Sequence, residues 1–251
     1  ALYSKYNNFP QAYKDEVLPG SAIVDLEKLE RVNFSDSIEM LFYQPLEEKP
    51  GSRFVKLKLF HKGDPIHLSD VLPILENFGL RVIGESPYAI KTSDGETFWI
   101  LDFSMLLNGD GAFDIYTVST LFQDAFAKVW EGDLEDDGFN RLILGAGLEG
   151  RSVSILRAFA KYEFQIGGRF SQSYIEDAFA RYPDIAQLLI NLFIQRFDPS
   201  NSATESAKEK AQTKLLESIE SSLDNVANLD DDRIIRRFVE MILATIRTNY
   251  F

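Results

Sequence analysis

The sequence predicts an α+β fold: a strand-rich segment behind a short helical lead, followed by an all-helical region. Three observations carry this. Between residues 37 and 107, short runs show the two-residue alternation of half-buried strands, broken by turn-forming stretches such as EEKPGS and SDGE. From residue 133 onward apolar residues recur at three- and four-residue steps, the spacing of a helix face. With 251 residues, 45% of them hydrophobic and 26% charged, the chain can bury the core of one large domain or two small ones.

Residues 1–33 form the helical lead. YNNFPQAYKDEVL and SAIVDLEKLERV are amphipathic and separated by Pro19-Gly20; in the second, Ile23, Leu26 and Leu29 fall near one face and Ser21 is placed to cap. SIEMLFYQPL (37–46) and RFVKLKLFHKG (53–63) then read as a β-hairpin, with Val55, Leu57 and Leu59 alternating with Phe54, Lys56 and Lys58. Ser69 is expected to cap a helix over DVLPILENF that Gly79 closes. LRVIGE and SPYAIKT are two further strand pieces, and TFWILDFSML follows the SDGE turn. DIYTVSTLFQDAFAKVW (114–130) is a helix with Val118, Leu121, Phe122, Ala125 and Val129 on one side.

Residues 34–132 thus have the order β-β-α-β-β-α. A ferredoxin-like β-α-β-β-α-β unit sets its last strand antiparallel beside its first, and a hairpin strand placed ahead of the first would take the same position. The segment reads as a ferredoxin-like sandwich whose edge strand comes from the front of the chain. Its helices cover one face of the sheet, and the other face needs a partner.

Residues 133–251 are read as a helical domain. After the acidic loop LEDDGFN come helices near 138–146, 151–166, 171–180 and 184–197, then a polar linker near 199–211 that could equally be a frayed helix start. Leu216, Ile219, Leu223 and Val226 form one apolar stripe, and Ile235, Phe238, Ile242 and Thr245 a second, predicting an antiparallel helical hairpin.

Composition removes several function classes. Asp plus Glu number 39 against 26 Lys plus Arg, a net charge of -13, which disfavours nucleic acid and anionic membrane as partners. No apolar run approaches the ~20 residues that span a bilayer. The absence of cysteine excludes disulfides, thiol catalysis and thiolate metal sites, and suits the cytoplasm. His61 and His67, separated by a Gly-Asp-Pro turn, read as loop residues, and the acidic runs 131–137 and 230–232 lack the glycine and terminal glutamate of an EF-hand, so no metal site is expected. The serine-hydrolase, P-loop and zinc-protease motifs G-x-S-x-G, G-x-x-x-x-G-K-[ST] and H-E-x-x-H do not occur, and no catalytic residue is nominated.

Gly145, Gly147 and Gly150 in RLILGAGLEG spell G-x-G-x-x-G, the pattern that cradles a dinucleotide pyrophosphate behind a buried strand. Phe139, Leu142, Ile143 and Ala146 nevertheless fit a helix face better than a strand, and no β-rich run follows. The glycines are therefore read as a helix stop and restart, Gly147 being the left-handed residue after the helix, and not as a cofactor site. The loop HKGDPIHLSD (61–70) joins a strand to a helix start. Its His61, Gly63, Asp64 and Ser69 are the candidate effector residues, with free backbone N–H groups for an amino-acid carboxylate; a plain connection is the other reading. Arg233, Arg236, Arg237 and Arg247 form a basic strip that either pairs with nearby acids or docks a following segment.

Several stretches resemble the large bacterial NAD-specific glutamate dehydrogenases: HLSDVLPILENFGLRVIGESPYAI, DGFNRLILGAGL, LRAFAKYEFQIG, FSQSYIEDAFARYPDIAQLLINLF and DDDRIIRRFVEMILATIRTNYF. The resemblance implies an ACT-like regulatory domain over the strand-rich segment and helical motifs leading into a dehydrogenase core. In such an enzyme NAD and the catalytic residues belong to a downstream catalytic domain beyond Phe251, which would be this segment's partner in a homo-oligomeric parent. The reaction implied is oxidation of L-glutamate to 2-oxoglutarate and ammonia, with this segment regulatory and architectural. The chain departs from an ordinary ACT unit in lacking its last strand. An amino-acid-sensing module and a helical protein-interaction module are the alternative functions.

Overall fold

The structure is a computed structural model that describes residues 5, 6, 8–34, 38–49, 51–109 and 114–251. Ser37 and Pro50 of the expected hairpin lie outside the described residues. The chain divides into two compact units, residues 1–136 and 137–251.

The first unit opens with helices α1 (Gln11–Glu16) and α2 (Pro19–Phe34). Strands β1 (Glu39–Tyr43) and β2 (Phe54–Lys62) pair antiparallel, Phe42 opposite Leu57. Helix α3 (Leu68–Asn77) leads to β3 (Leu80–Lys91), β4 (Thr97–Leu107) and α4 (Ile115–Glu131). The sheet order is β1-β2-β4-β3, every neighbour antiparallel, so β4 lies between the two strands that α3 joins and β1 closes the β2 edge as expected.

Two details differ from the sequence reading. LRVIGE and SPYAIKT are one strand, with an irregularity between Val82 and Gly84. Pro87 does not interrupt it, because β3 is an edge strand and its outward side has no ladder donor to lose. Helix α3 begins two residues earlier than a Ser69 cap allows: His67 holds that position, without a side-chain hydrogen bond, and the Ser69 hydroxyl turns to Asp70 at 3.3 Å. Helix α4 is capped at both ends, with Asp114 accepting from the Tyr116 N–H and Gly132 left-handed at φ 82°.

Both faces of the sheet are buried. Val55, Leu57, Leu59 and Phe42 pack with Phe78, Phe122 and Phe126 of the α3 and α4 side, the Phe42 and Phe122 rings 4.3 Å apart. On the opposite face Phe60, Phe98, Ile100, Tyr88 and Ile90 form a core with Tyr6, Tyr13, Leu29 and Val32 of the helical lead. The partner that the outer face needs is thus the chain's own N-terminal segment. Burial of each such ring or branched side chain stabilises by about 1.5–3 kcal/mol, which is why a lead of marginal intrinsic helicity is held.

The second unit is helical: a 3-10 turn (Gly138–Asn140), α5 (Arg141–Gly145), α6 (Gly150–Gln165), α7 (Gln172–Arg181), α8 (Pro183–Phe197), α9 (Glu205–Leu223) and α10 (Leu229–Ala244). Ser171 caps α7 and Asn228 caps α10, its Oδ1 accepting from Asp230 and Asp231. The polar stretch becomes helical at Glu205, leaving 198–204 as the connection. The last two helices do not form the self-contained hairpin expected: α9 lies mainly along α8, and α10 packs on α7 and α8, with Phe238 against Phe179 at 4.8 Å. Ile219 and Leu223 are buried, while Val226 lies past the end of α9 and Thr245 caps α10, so each stripe loses its final member. Among the described residues no helix is long and apolar enough to cross a membrane.

Candidate functional site

The loop 61–70 is built as a tight connection between β2 and α3. The Gly63 N–H donates to Thr97 O at 2.9 Å, and its own carbonyl accepts from Trp99 Nε1 at 3.0 Å, which fixes the glycine to the neighbouring strand at φ 94°. Nδ1 of His61 lies 3.0 Å from the Asp64 carbonyl oxygen. Lys62 pairs with Glu96 at 2.7 Å. The structure therefore joins His61 to Asp64 and ties Gly63 to the neighbouring strand, while Gly63, Asp64, His67 and Ser69 are all exposed on the approach to α3. The first turn of α3 has no side-chain cap, so its N–H groups point to the loop side.

A second polar centre, which sequence reading missed, lies beneath the helical lead. Asp25 of α2 is fully buried, and its Oδ2 accepts from both the Tyr13 hydroxyl and Lys58 Nζ, each at 2.6 Å. Lys58, on β2, is 2% exposed. Directly opposite Lys58 in the sheet stands Asp102, which Lys56 Nζ reaches at 3.0 Å. Nearby Tyr88 donates to Glu16 Oε2 at 2.5 Å.

Burial holds the Asp102 carboxyl above its ordinary value, against the opposing pull of Lys56 and Lys58. Burial also raises the Tyr13 hydroxyl, with Asp25 adding to it, and pushes Tyr88 up to about 12 with help from Glu16. Both hydroxyls consequently stay protonated and act as donors to carboxylates. This centre welds α1 and α2 to the sheet with charge-assisted bonds at fixed positions. Sequence alternation assigns Lys56 and Lys58 to a polar face; only the position of Asp25, 33 residues away, reveals that the face is covered.

The glycine motif is helical on both sides. Leu142–Leu144 lie in α5, the Ala146 N–H bonds Leu142 O at 2.9 Å, Gly147 is left-handed at φ 63°, and Leu148 is buried. Gly150 is the first residue of α6 rather than part of a free loop. The strand that would aim these glycines at a pyrophosphate is thus a helix turn. What the region does hold is a bolt: Arg157, 3% exposed, clasps both Asp137 oxygens at 2.6 and 2.8 Å and the Asn140 side chain at 2.9 Å. Three of the four arginines of the basic strip pair with nearby acids, one of its two readings. Arg236 joins Glu220 and Asp232, Arg237 joins Glu163 and Glu240, and Arg233 joins Asp230.

Comparison with known proteins divides the chain in the same order. The family model of the glutamate dehydrogenase helical motif 2 matches residues 1–32, that of the ACT3 domain 37–118, and that of helical motif 3 134–199. The model of the bacterial NAD-glutamate dehydrogenase catalytic domain matches 218–251, so likeness to that domain starts within α9 instead of beyond Phe251. The chain is similar to NAD-specific glutamate dehydrogenases of Halomonas elongata (39% identity over 100% of the chain), Pseudomonas aeruginosa (42% over 97%) and Mycobacterium tuberculosis (33% over 97%). It spans about 15% of the length of each.

Proposed function

Because the chain belongs to the family of the large bacterial NAD-specific glutamate dehydrogenases, we propose that it serves as a regulatory and architectural segment of such an enzyme. In this reading the parent oxidises L-glutamate to 2-oxoglutarate and ammonia with NAD, in the cytoplasm and as a homo-oligomer, and the chemistry belongs to a catalytic domain that is this segment's partner. The observation that carries it is the collinear run of helical motif 2, ACT3, helical motif 3 and the first stretch of the catalytic domain. Its physical support is the closure of the ACT-like sheet by the helical lead, through the Asp25–Lys58 bond and a shared buried core.

The test is direct. The purified chain, given L-glutamate and NAD, should produce no NADH, and turnover would move the chemistry into this segment and end the proposal.

A second reading makes the 61–70 loop an amino-acid effector site. The uncapped N–H groups at the start of α3, beside His61, Gly63, Asp64 and Ser69, favour it. Calorimetric titration with a panel of amino acids separates the two: saturable binding lost in Gly63→Val supports a sensor, and silence leaves the architectural role.

A further inference from the structure

We propose that the helical unit contains a binding site for a long-chain carboxylate, with its head on an arginine cluster and its chain in an adjoining apolar groove. Two cavities meet between α6 and α10. The smaller, about 280 Å³, is rimmed by Arg169, Arg233, Arg237 and Glu163 over a floor of buried Ile175 and Phe238. The larger, about 700 Å³, is walled by Ile155, Phe159 and Tyr162 of α6, by Met241 of α10, and by Phe193 and Tyr250. Arg237 and Ile166 line both, so the two adjoin at those side chains.

The dimensions and the charge specify the occupant. The wall from Ser154 to Ile166 spans twelve residue steps, about 18 Å at the rise of an α-helix. A volume of about 700 Å³ is within the range of small-molecule sites, and the mixture of an apolar lining with a few converging polar groups is their usual composition. Tyr162 and Ile166 remain 50% and 44% exposed, so an apolar chain laid along the groove removes from water a surface that is otherwise wet.

Four arginines line the two adjoining cavities, counting Arg247 with the three above, against the lining carboxylates Glu163 and Glu240 and the Asp230 that Arg233 holds, on a chain whose net charge is -13. The groove is therefore a local positive site on an acidic protein. Glu163 and Glu240 engage Nε and Nη1 of Arg237, while a guanidinium carries five N–H donors, and its planar fork matches a carboxylate. Phosphate alone would leave the groove unfilled, and an uncharged lipid would leave the arginines unmatched.

The purified 251-residue chain is titrated calorimetrically with decanoate, acetate and decan-1-ol. Decanoate should bind saturably with one site per chain, and acetate and the alcohol at least tenfold more weakly. Ala158→Trp, at an exposed position lining the groove, should lower decanoate affinity at least tenfold, and Arg169→Gln with Arg233→Gln at least fivefold, with melting temperatures unchanged. Absence of saturable binding, equal affinity for the alcohol, or undiminished binding in Ala158→Trp overturns the proposal. Sedimentation at rising concentration covers the other occupant: self-association abolished by Ala158→Trp would make the groove a seat for a second copy and also overturn it.

Discussion

Replacing Asp25 with alanine should cost the first unit about 3–5 kcal/mol, the range for removing one partner of a buried ion pair. The structure places this substitution at the high-cost end of single changes. Asp25 is 0% exposed and Lys58 2%, and a single carboxylate oxygen receives both the Lys58 ammonium and the Tyr13 hydroxyl at 2.6 Å. Removing it strands a buried cation and a buried donor together. The pair as a whole is worth far less than either deletion implies, because both charges were desolvated to make it. The double variant Asp25→Leu with Lys58→Met should therefore recover most of the loss and lie within about 2 kcal/mol of the parent. Trp99 and Trp130, the chain's two tryptophans, both lie in the first unit, so their fluorescence during urea denaturation reports that unit alone. A loss below about 1 kcal/mol in Asp25→Ala, or a double variant as unstable as the single, would refute the account of the centre as a buried, mutually dependent pair.

Three further outcomes follow from the same geometry. The folded-state pKa of Asp102 is raised by burial, so its contribution is fully present below the unfolded-state value and is lost as pH rises through the folded one; as pH rises above the ordinary aspartate range, stability should rise more, or fall less, in Asp102→Asn than in the parent, measured by urea melts at each pH. Gly147→Ala forces an L side chain into a φ of 63° and should cost about 1–2 kcal/mol by circular dichroism melts, with added NAD producing no compensating rise in melting temperature. Asn228→Ala removes the acceptor for two N–H groups at the start of α10 and should cost about 1 kcal/mol, visible as faster amide exchange in residues 229–233.

Local chemistry was legible wherever a residue's role depends on its near neighbours. The strand alternation in 54–59, the left-handed glycines at 79 and 147, and the helix start near Asp230 all depend on bonds spanning a few residues. Ser69 shows the limit even there, since helix α3 takes His67 as its cap, two residues before the serine that the local pattern nominated. The candidate loop 61–70 was found because a strand-to-helix junction is a local pattern. Its bond from Trp99 to Gly63 was not, since that needs the β2 and β4 register.

By itself the sequence determined the element types, the order β-β-α-β-β-α, the helical second half and the helical nature of the glycine motif, because each is written in periodicity and backbone freedom. Tertiary structure decided what covers the sheet and where charge is buried. Lys58 carries the pattern of a solvent-facing residue, and only the packing of α2, with Asp25 brought to it across 33 positions, turns that lysine into the centre of a core. The adjoining cavities beside Arg237 arise in the same way, from α6 and α10 meeting across more than 70 residues. A repeat pattern records which face of an element is apolar; it holds no record of which distant element will press against it, and that choice placed both the ionic centre and the groove.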